Sequence, residues 1–123
     1  MVLLVQYTLI FASVLALVAL GGCFSEHSGV INIGLEGIMV MGALGGALAM
    51  KFLPATTSGI VLFILIVLAS VLVGMAFSLL LGFAAIHFNA DQTLVGTALN
   101  LMGTAAAVVI VRAINVAENP DNV

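Results

Sequence analysis

The chain has 123 residues, of which 64% are hydrophobic and 6% are charged, and its mean hydropathy is +1.42. These values exclude a water-soluble domain of this size and indicate an integral membrane protein surrounded by the lipid bilayer. Five acidic against two basic side chains give a net charge of -3, so no basic patch is available for nucleic acid. The single cysteine, Cys23, excludes an internal disulfide bond and a multi-cysteine metal site.

The first apolar run extends from Met1 to Leu20. At about 1.5 Å per residue it is long enough to cross a hydrocarbon core of about 30 Å. The residues from Leu20 to Cys23 resemble the lipid-attachment box of bacterial lipoproteins. However, no Lys or Arg precedes the apolar region, as a signal peptide requires, and more membrane sequence follows. The run therefore predicts a spanning helix.

The second run, from Gly29 to Met50, contains the polar side chains of Asn32 and Glu36. An ionised group at the centre of a bilayer costs about 2.5 to 3.5 kcal/mol, so a functional reason for Glu36 is expected. Gly34 and Gly37 flank Glu36, and each weakens a helix by about 1 kcal/mol. We therefore expect a second segment that is broken, re-entrant or late to start, which lipid tolerates only beside protein or a water-filled cavity.

Small residues recur at a spacing of four along the second run and the third, which extends from Gly59 to Phe88. This spacing allows two membrane helices to approach closely. It predicts helix packing at Gly42, Gly46, Ser70, Gly74, Ser78 and Gly82. A short interfacial loop is expected between the two runs, after Lys51.

The fourth run, from Thr93 to Val111, carries Thr97 and Asn100 on one helical face. Such a polar stripe should turn toward the bundle interior or a cavity, where it either lines a pathway or bonds neighbouring helices. We predict a transmembrane domain over residues 1–114 and a polar loop or frayed tail over 115–123. With only His27 and His87 as imidazoles, no metal site is expected.

Two stretches resemble one protein family. The first extends from Gly21 to Gly37 and reads GGCFSEHSGVINIGLEG; the second extends from Asn89 to Leu101 and reads NADQTLVGTALNL. Both are similar, at matching separation, to motifs of bacterial ABC transporter permeases for nucleosides and simple sugars, relatives of the branched-chain amino acid and ribose permeases. The resemblance covers nearly all of the chain.

The four apolar runs predict an all-α, polytopic transmembrane helical bundle with about four membrane segments. The resemblance implies that it lies in the bacterial cytoplasmic membrane. It implies the N-terminal half of a longer permease, because the family's coupling helix has no counterpart here. No enzymatic activity is expected, and ATP would bind a separate subunit, since the sequence has no phosphate-binding loop. The implied partners are an ATP-hydrolysing subunit, a substrate-binding protein, and a second permease subunit or the missing C-terminal half. The residues expected to line or brace the substrate pathway are Asn32, Glu36, Thr97 and Asn100, with Gly34 and Gly37 permitting a backbone break.

The chain also departs from the family pattern. The family commonly has Arg at the position of His27, a basic residue near His87, and Asn at the position of Asp91. Counting four spans places Lys51 and Arg112 on one side, which the positive-inside rule would make cytoplasmic. The family pattern instead places the loops of His27 and His87 inside, and we follow the family.

Two other classes of function stay open. A small proton-coupled multidrug antiporter also has four helices and a membrane carboxylate, but it carries that carboxylate in its first helix, where this chain has none. The chain lacks Trp and is 7% aromatic, which is a poor stacking surface for a flat cation. A structural subunit without transport activity is the other alternative. For Glu36, a purely structural role would be to accept hydrogen bonds from free amides at a helix start.

Overall fold

The computed structural model describes residues 1–54 and 58–118, and these residues form four α-helices. Each is long and apolar enough to cross a membrane, by length and composition. The prediction of an all-α bundle with four membrane segments is confirmed. The helices are α1 (Val2–His27), α2 (Leu35–Phe52), α3 (Gly59–His87) and α4 (Gln92–Glu118).

Helix α1 contributes no buried residue. It contacts α2 near its end, where a Cβ placed on Gly22 would lie 3.2 Å from a methyl group of Leu35. The hydroxyl groups of Thr8 and Ser13 donate to carbonyl oxygens of their own helix, so they offer no free donor to the bilayer. The lipoprotein-like box ending at Cys23 lies inside this helix, which continues to His27.

Helix α2 begins late, as the paired glycines predict, and is then unbroken over 18 residues. Because residues 28–34 are not helical, Asn32 precedes the helix and Glu36 is its second residue. At about 1.5 Å per residue α2 is roughly 27 Å long. It is therefore at the short end of the lengths with which helices cross a hydrocarbon core of about 30 Å.

Helix α2 packs against α3 through part of the predicted small-residue stripe. A Cβ on Gly42 would lie 3.3 Å from the carbonyl oxygen of Ser70, and one on Gly74 would lie 3.9 Å from Cα of Gly42. A Cβ on Gly46 would collide with the Ser70 hydroxyl group. By contrast, a Cβ on Gly82 would meet no atom within 4 Å. The stripe therefore approaches α2 at Ser70 and Gly74 but has no neighbour at Gly82.

A small apolar cluster lies between α3 and α4, formed by the buried side chains of Phe77, Leu81 and Leu99. Val30, from the connection between α1 and α2, is half-buried against it. In lipid, these side chains attract one another through van der Waals packing and not through the hydrophobic effect. The connection therefore packs against this cluster through Val30.

At the opposite end, α4 continues past its predicted end at Val111 to Glu118. The first four residues of the segment expected as a loop or tail, 115–118, are therefore helical. Lys51 Nζ at the end of α2 lies 2.8 Å from Glu118 Oε2, and this ion pair joins the two helix ends. Residues 119–123 of that segment, and residues 55–57 of the expected interfacial loop, lie outside the described residues.

Candidate functional site

The connection between α1 and α2 forms the candidate site, since it places non-helical backbone beside membrane-spanning helices. It starts at Gly29, whose φ of +83° lies in the left-handed region that favours glycine. The Ser25 hydroxyl then donates to the Val30 carbonyl oxygen at 2.8 Å, and the Val30 amide donates to the Ser25 carbonyl oxygen at 3.3 Å. These two bonds fold the connection back onto the end of α1.

Asn100 of α4 fixes the other end of the connection. Its Oδ1 accepts a hydrogen bond from the Gly37 amide at 2.7 Å, and its Nδ2 donates to the Ile33 carbonyl oxygen at 2.9 Å. The first residues of a helix have amides without an intrahelical acceptor. Gly34, at the cap position of α2, has no side chain with which to satisfy them. Asn100 therefore caps α2 from a different helix.

The Asn100 bonds are possible because α2 and α4 come unusually close at this point. A Cβ on Gly37 would lie 2.6 Å from the Leu99 carbonyl oxygen, and one on Gly103 would lie 2.9 Å from the Gly37 carbonyl oxygen. A Cβ on Gly96 would lie 3.0 Å from the Gly34 amide nitrogen. Contacts this short leave no room for a side chain, so glycine at Gly37 allows the two backbones to touch.

Gln92, at the start of α4, holds the middle of the connection. Its Oε1 accepts a hydrogen bond from the Ile31 amide at 2.9 Å. The start of α4 is fixed by Asp91, whose Oδ1 accepts from the amides of Thr93 at 2.8 Å and Leu94 at 3.4 Å. An aspartate at this position satisfies amides that a helix start leaves free. Asp91 thereby orients the turn that carries Gln92.

Two polar side chains predicted for the site, Asn32 of the connection and Glu36 in the first turn of α2, make no comparable bonds. Asn32 Oδ1 is buried and has no hydrogen-bond partner within residues 1–54 and 58–118. Glu36 is exposed in the first turn of α2, and no amide of the described residues donates to its carboxylate. Its negative charge lies at the end of α2 where the helix dipole is positive. Glu36 therefore retains hydrogen-bond acceptors for a group outside this chain, whereas Asn32 Oδ1 is unsatisfied but covered.

The threonines of the predicted polar face bond to their own helix. Thr97 Oγ1 donates to the carbonyl oxygens of Thr93 and Leu94, at 3.1 and 2.9 Å, and Thr104 Oγ1 donates to the Asn100 carbonyl oxygen at 2.9 Å. Thr97 is exposed. The structure therefore brings Asn32, Gly34, Gly37 and Asn100 together, with Glu36 beside them, and leaves Thr97 outside this cluster.

The two histidines lie at the same end of the bundle as the connection. His27 Nδ1 is 3.0 Å from the Cys23 carbonyl oxygen, and the His87 ring stacks on Phe83 with centroids 4.4 Å apart. Across the described ranges, no three His, Cys, Asp or Glu side chains lie close enough together to hold a metal ion. The histidines thus occupy helix ends and do not converge on the connection.

Comparison with known proteins gives the family. Residues 4–122 match the family of permease components of branched-chain amino acid transport systems. The chain belongs to this permease family. No solved structure matches it.

The permease chain also has curated relatives. It is 44% identical to the guanosine ABC transporter permease protein NupQ of Bacillus subtilis over 112 residues, which are 91% of this chain and 35% of NupQ. It is 36% identical to the nucleoside ABC transporter permease protein NupC of Lactococcus lactis over 110 residues, which are 89% of this chain and 34% of NupC. The chain thus spans about a third of the length of these relatives. The predicted resemblance to nucleoside and sugar permeases is confirmed.

Sequence reasoning missed the role of Gln92 in the permease. Its bond joins positions that are 61 residues apart, which no local pattern can reveal. The available signal was its place in the second family-like stretch, directly after the capping Asp91. For Asn100 the side-chain type and helical face were recognised, but not that both ends of its amide are bound to the backbone of the connection.

Proposed function

We propose that this chain is the N-terminal part of the membrane-spanning subunit of an ABC importer for nucleosides or simple sugars. Membership of the permease family supports a role in transport, and the names of NupQ and NupC support nucleosides as the substrate class. The bacterial cytoplasmic membrane is the proposed location. The four apolar helices support a protein that crosses the membrane several times.

The observation that carries this proposal is the non-helical connection held against α4 by Asn100. Within the hydrocarbon region, membrane proteins tolerate such backbone only where it is buried in protein or lines a water-filled cavity. The connection carries the unpaired Oδ1 of Asn32, and the carboxylate of Glu36 follows it. Nucleosides and sugars are rich in hydroxyl donors, which such acceptors can bind. We therefore propose that this end of α2 and α4 borders the translocation path.

The site residues divide into two roles in this proposal. Glu36 faces the path and accepts hydrogen bonds there, and Asn32 borders the path with an acceptor, Oδ1, that is covered in this structure. Asn100 braces the path, because its amide is already used by the backbone. Gly34 and Gly37 allow the late start of α2 and its close approach to α4. Thr97 lies on the exposed face of α4, where the remainder of the permease would have to complete its surroundings.

The proposed partners are an ATP-hydrolysing subunit, a substrate-binding protein, and the remainder of the permease or a second permease subunit. ATP would bind the hydrolysing subunit, since this sequence contains no Gly-Lys-Ser or Gly-Lys-Thr phosphate loop. The energy for transport is proposed to reach this chain as a change in helix arrangement. The connection and α4 are the elements that would respond.

Uptake by a reconstituted complex tests the proposal. The chain is joined to the rest of a nucleoside permease of this family and assembled with its ATPase and binding protein in proteoliposomes. We expect ATP-dependent accumulation of radiolabelled guanosine that Asn100→Leu abolishes and Gly82→Ala, a variant at an uncrowded position, preserves. Accumulation that needs a proton gradient and no ATP would overturn the importer in favour of an antiporter. Accumulation that is unaffected by Asn100→Leu would remove this site from the path.

A further inference from the structure

Two amide side chains of α4 hold the connection, and they make different numbers of hydrogen bonds to it. Asn100 is half-buried and makes two hydrogen bonds, to the Gly37 amide and the Ile33 carbonyl group. Gln92 makes one, to the exposed Ile31 amide. Local opening begins where few buried contacts support the backbone and its hydrogen bonds reach solvent. The hydrogen bond between Ile31 and Gln92 is therefore the first that would break between the connection and α4.

The same connection contains an unfavourable feature that opening would remove. Asn32 Oδ1 is buried without a partner among the described residues, and an unsatisfied buried acceptor destabilises the state that contains it. Asn32 lies directly between Ile31, bonded to Gln92, and Ile33, bonded to Asn100. If the backbone at Ile31 lifts, Asn32 Oδ1 gains access to a donor while the Asn100 bonds stay in place.

The two ends of the connection suit this motion. At one end Gly29 adopts φ +83° and a Cβ there would meet no atom within 4 Å, so the backbone is uncrowded. At the other end Gly34 is enclosed by Gly96 and lies between the two groups that Asn100 binds. Near Gly29 the connection is hydrogen-bonded to α1, through Val30 and Ser25, and not to α4. Against α4 it is fixed at Gly34.

We propose that Gln92 is a positioning residue that latches residues 29–33 onto α4, and that loss of its bond to Ile31 lifts this connection and exposes Asn32 Oδ1. Asn100 is the fixed point of the motion. The position of Asn32 is then controlled by the start of α4, where Asp91 sets the orientation of the turn. The motion depends on contacts within this chain and not on the identity of a transported substrate.

A half-buried reporter cysteine tests the latch in the chain as it stands, reconstituted in liposomes with Cys23→Ser. Val30→Cys is the reporter, since Val30 is half-buried against the apolar cluster and moves with the connection. Leu48→Cys, half-buried on α2 away from the connection, is the control reporter. We expect Gln92→Leu to raise the rate at which a thiol reagent labels Val30→Cys roughly threefold to tenfold, the range for loss of one hydrogen bond. The Leu48→Cys rate should not change.

The conservative variant Gln92→Glu distinguishes a specific bond to Ile31 from a general structural role of Gln92. The bond to Ile31 uses only the acceptor oxygen of Gln92, which Glu also has. Gln92→Glu should therefore keep Val30→Cys as slowly labelled as it is in the parent. Equal rates for Gln92→Leu and the parent would overturn the latch. Equal acceleration at Val30→Cys and Leu48→Cys would also overturn it, because Gln92 would then support the whole bundle. Neither result depends on transport.

Discussion

Asn100 Oδ1 accepts the Gly37 amide at 2.7 Å, and a Cβ placed on Gly37 would lie only 2.9 Å from Asn100 Cα. The hydrogen bond therefore requires that residue 37 has no side chain. A larger residue at 37 would push the two backbones apart and lengthen the bond that caps α2. This pair of residues joins the first turn of α2 to the polar face of α4.

Replacing Gly37 with Ala should destabilise the chain more than the same change at an uncrowded glycine. The added Cβ would collide with the Leu99 carbonyl oxygen at 2.6 Å, and overpacking a tight contact costs about 1 to 3 kcal/mol. Gly82→Ala is the matched control, because nothing lies within 4 Å of its Cβ and Ala favours a helix by about 0.5 to 1 kcal/mol. Unfolding in a detergent titration measures both. Equal stabilities would mean that α2 and α4 do not touch at Gly37.

The sequence predicted the helices and the late start of α2 because these follow from local composition. Gly34 and Gly37 lie next to Glu36 in the chain, so the weak helix could be recognised there. The extension of α4 to Glu118 could not, since it is accompanied by an ion pair with Lys51 on another helix. Likewise, four-residue spacing placed Gly82 on the packing stripe of α3, but only the arrangement of the helices shows that α2 does not reach it.

The candidate site was predicted by residue type more than by role. An amide inside an apolar helix had to find partners, so Asn100 could be selected. Its partners are backbone groups 63 and 67 residues away, and no spacing along the chain encodes that distance. For Glu36, the structural alternative is that its carboxylate caps α2. In the described residues Asn100 occupies that role at the Gly37 amide.

Asn100→Asp should make the stability of the chain depend on pH. An ionised Asp can still accept the Gly37 amide, but it cannot donate to the Ile33 carbonyl oxygen. At acidic pH the protonated carboxyl group regains a donor. The variant should therefore be less stable than the parent at neutral pH, by about 1 to 3 kcal/mol, and recover part of that loss as the pH falls. Unfolding in detergent, measured relative to the parent at each pH, tests this.

Asn100→Leu is the control for that experiment. It removes both hydrogen bonds and introduces no titrating group, so its loss of stability relative to the parent should be the same at each pH. If Asn100→Asp shows no recovery in acid relative to Asn100→Leu, the Ile33 bond makes no measurable contribution.

The ion pair between Lys51 and Glu118 should contribute little to stability. Their side chains are 32% and 56% exposed, and pairs in such surroundings contribute about 0.2 to 1 kcal/mol. A double-mutant cycle with Lys51→Ala and Glu118→Ala measures the coupling free energy. It should fall within that range and decrease as salt is added, because salt screens exposed charges. A coupling well above 1 kcal/mol that is insensitive to salt would show that the pair is shielded from water.

Orientation in the membrane can be tested with single cysteines in a Cys23→Ser background. The bond from Ile31 to Gln92 places the connection and the start of α4 at one end of the bundle, so Ser28→Cys and Ala90→Cys should behave alike. We expect both to resist an impermeant thiol reagent applied to intact cells, and Thr56→Cys, outside the described residues, to react. The reverse pattern would place Lys51 and Arg112 inside, as the charge count alone suggests.

Substitution of Glu36 distinguishes an ATP-driven importer from a proton-coupled antiporter. An antiporter must protonate and deprotonate its membrane carboxylate in each cycle, whereas Gln keeps the shape and hydrogen-bonding capacity without titrating. We expect Glu36→Gln to retain most guanosine uptake in the completed transporter and Glu36→Leu to lose most of it.

Because no amide of the described residues donates to this carboxylate, both variants should leave the stability of the chain itself within about 0.5 kcal/mol of the parent. Equal loss of stability and uptake in Glu36→Leu would give this residue a structural role. Uptake driven by a proton gradient without ATP, and abolished by Glu36→Gln, would replace the importer with the antiporter.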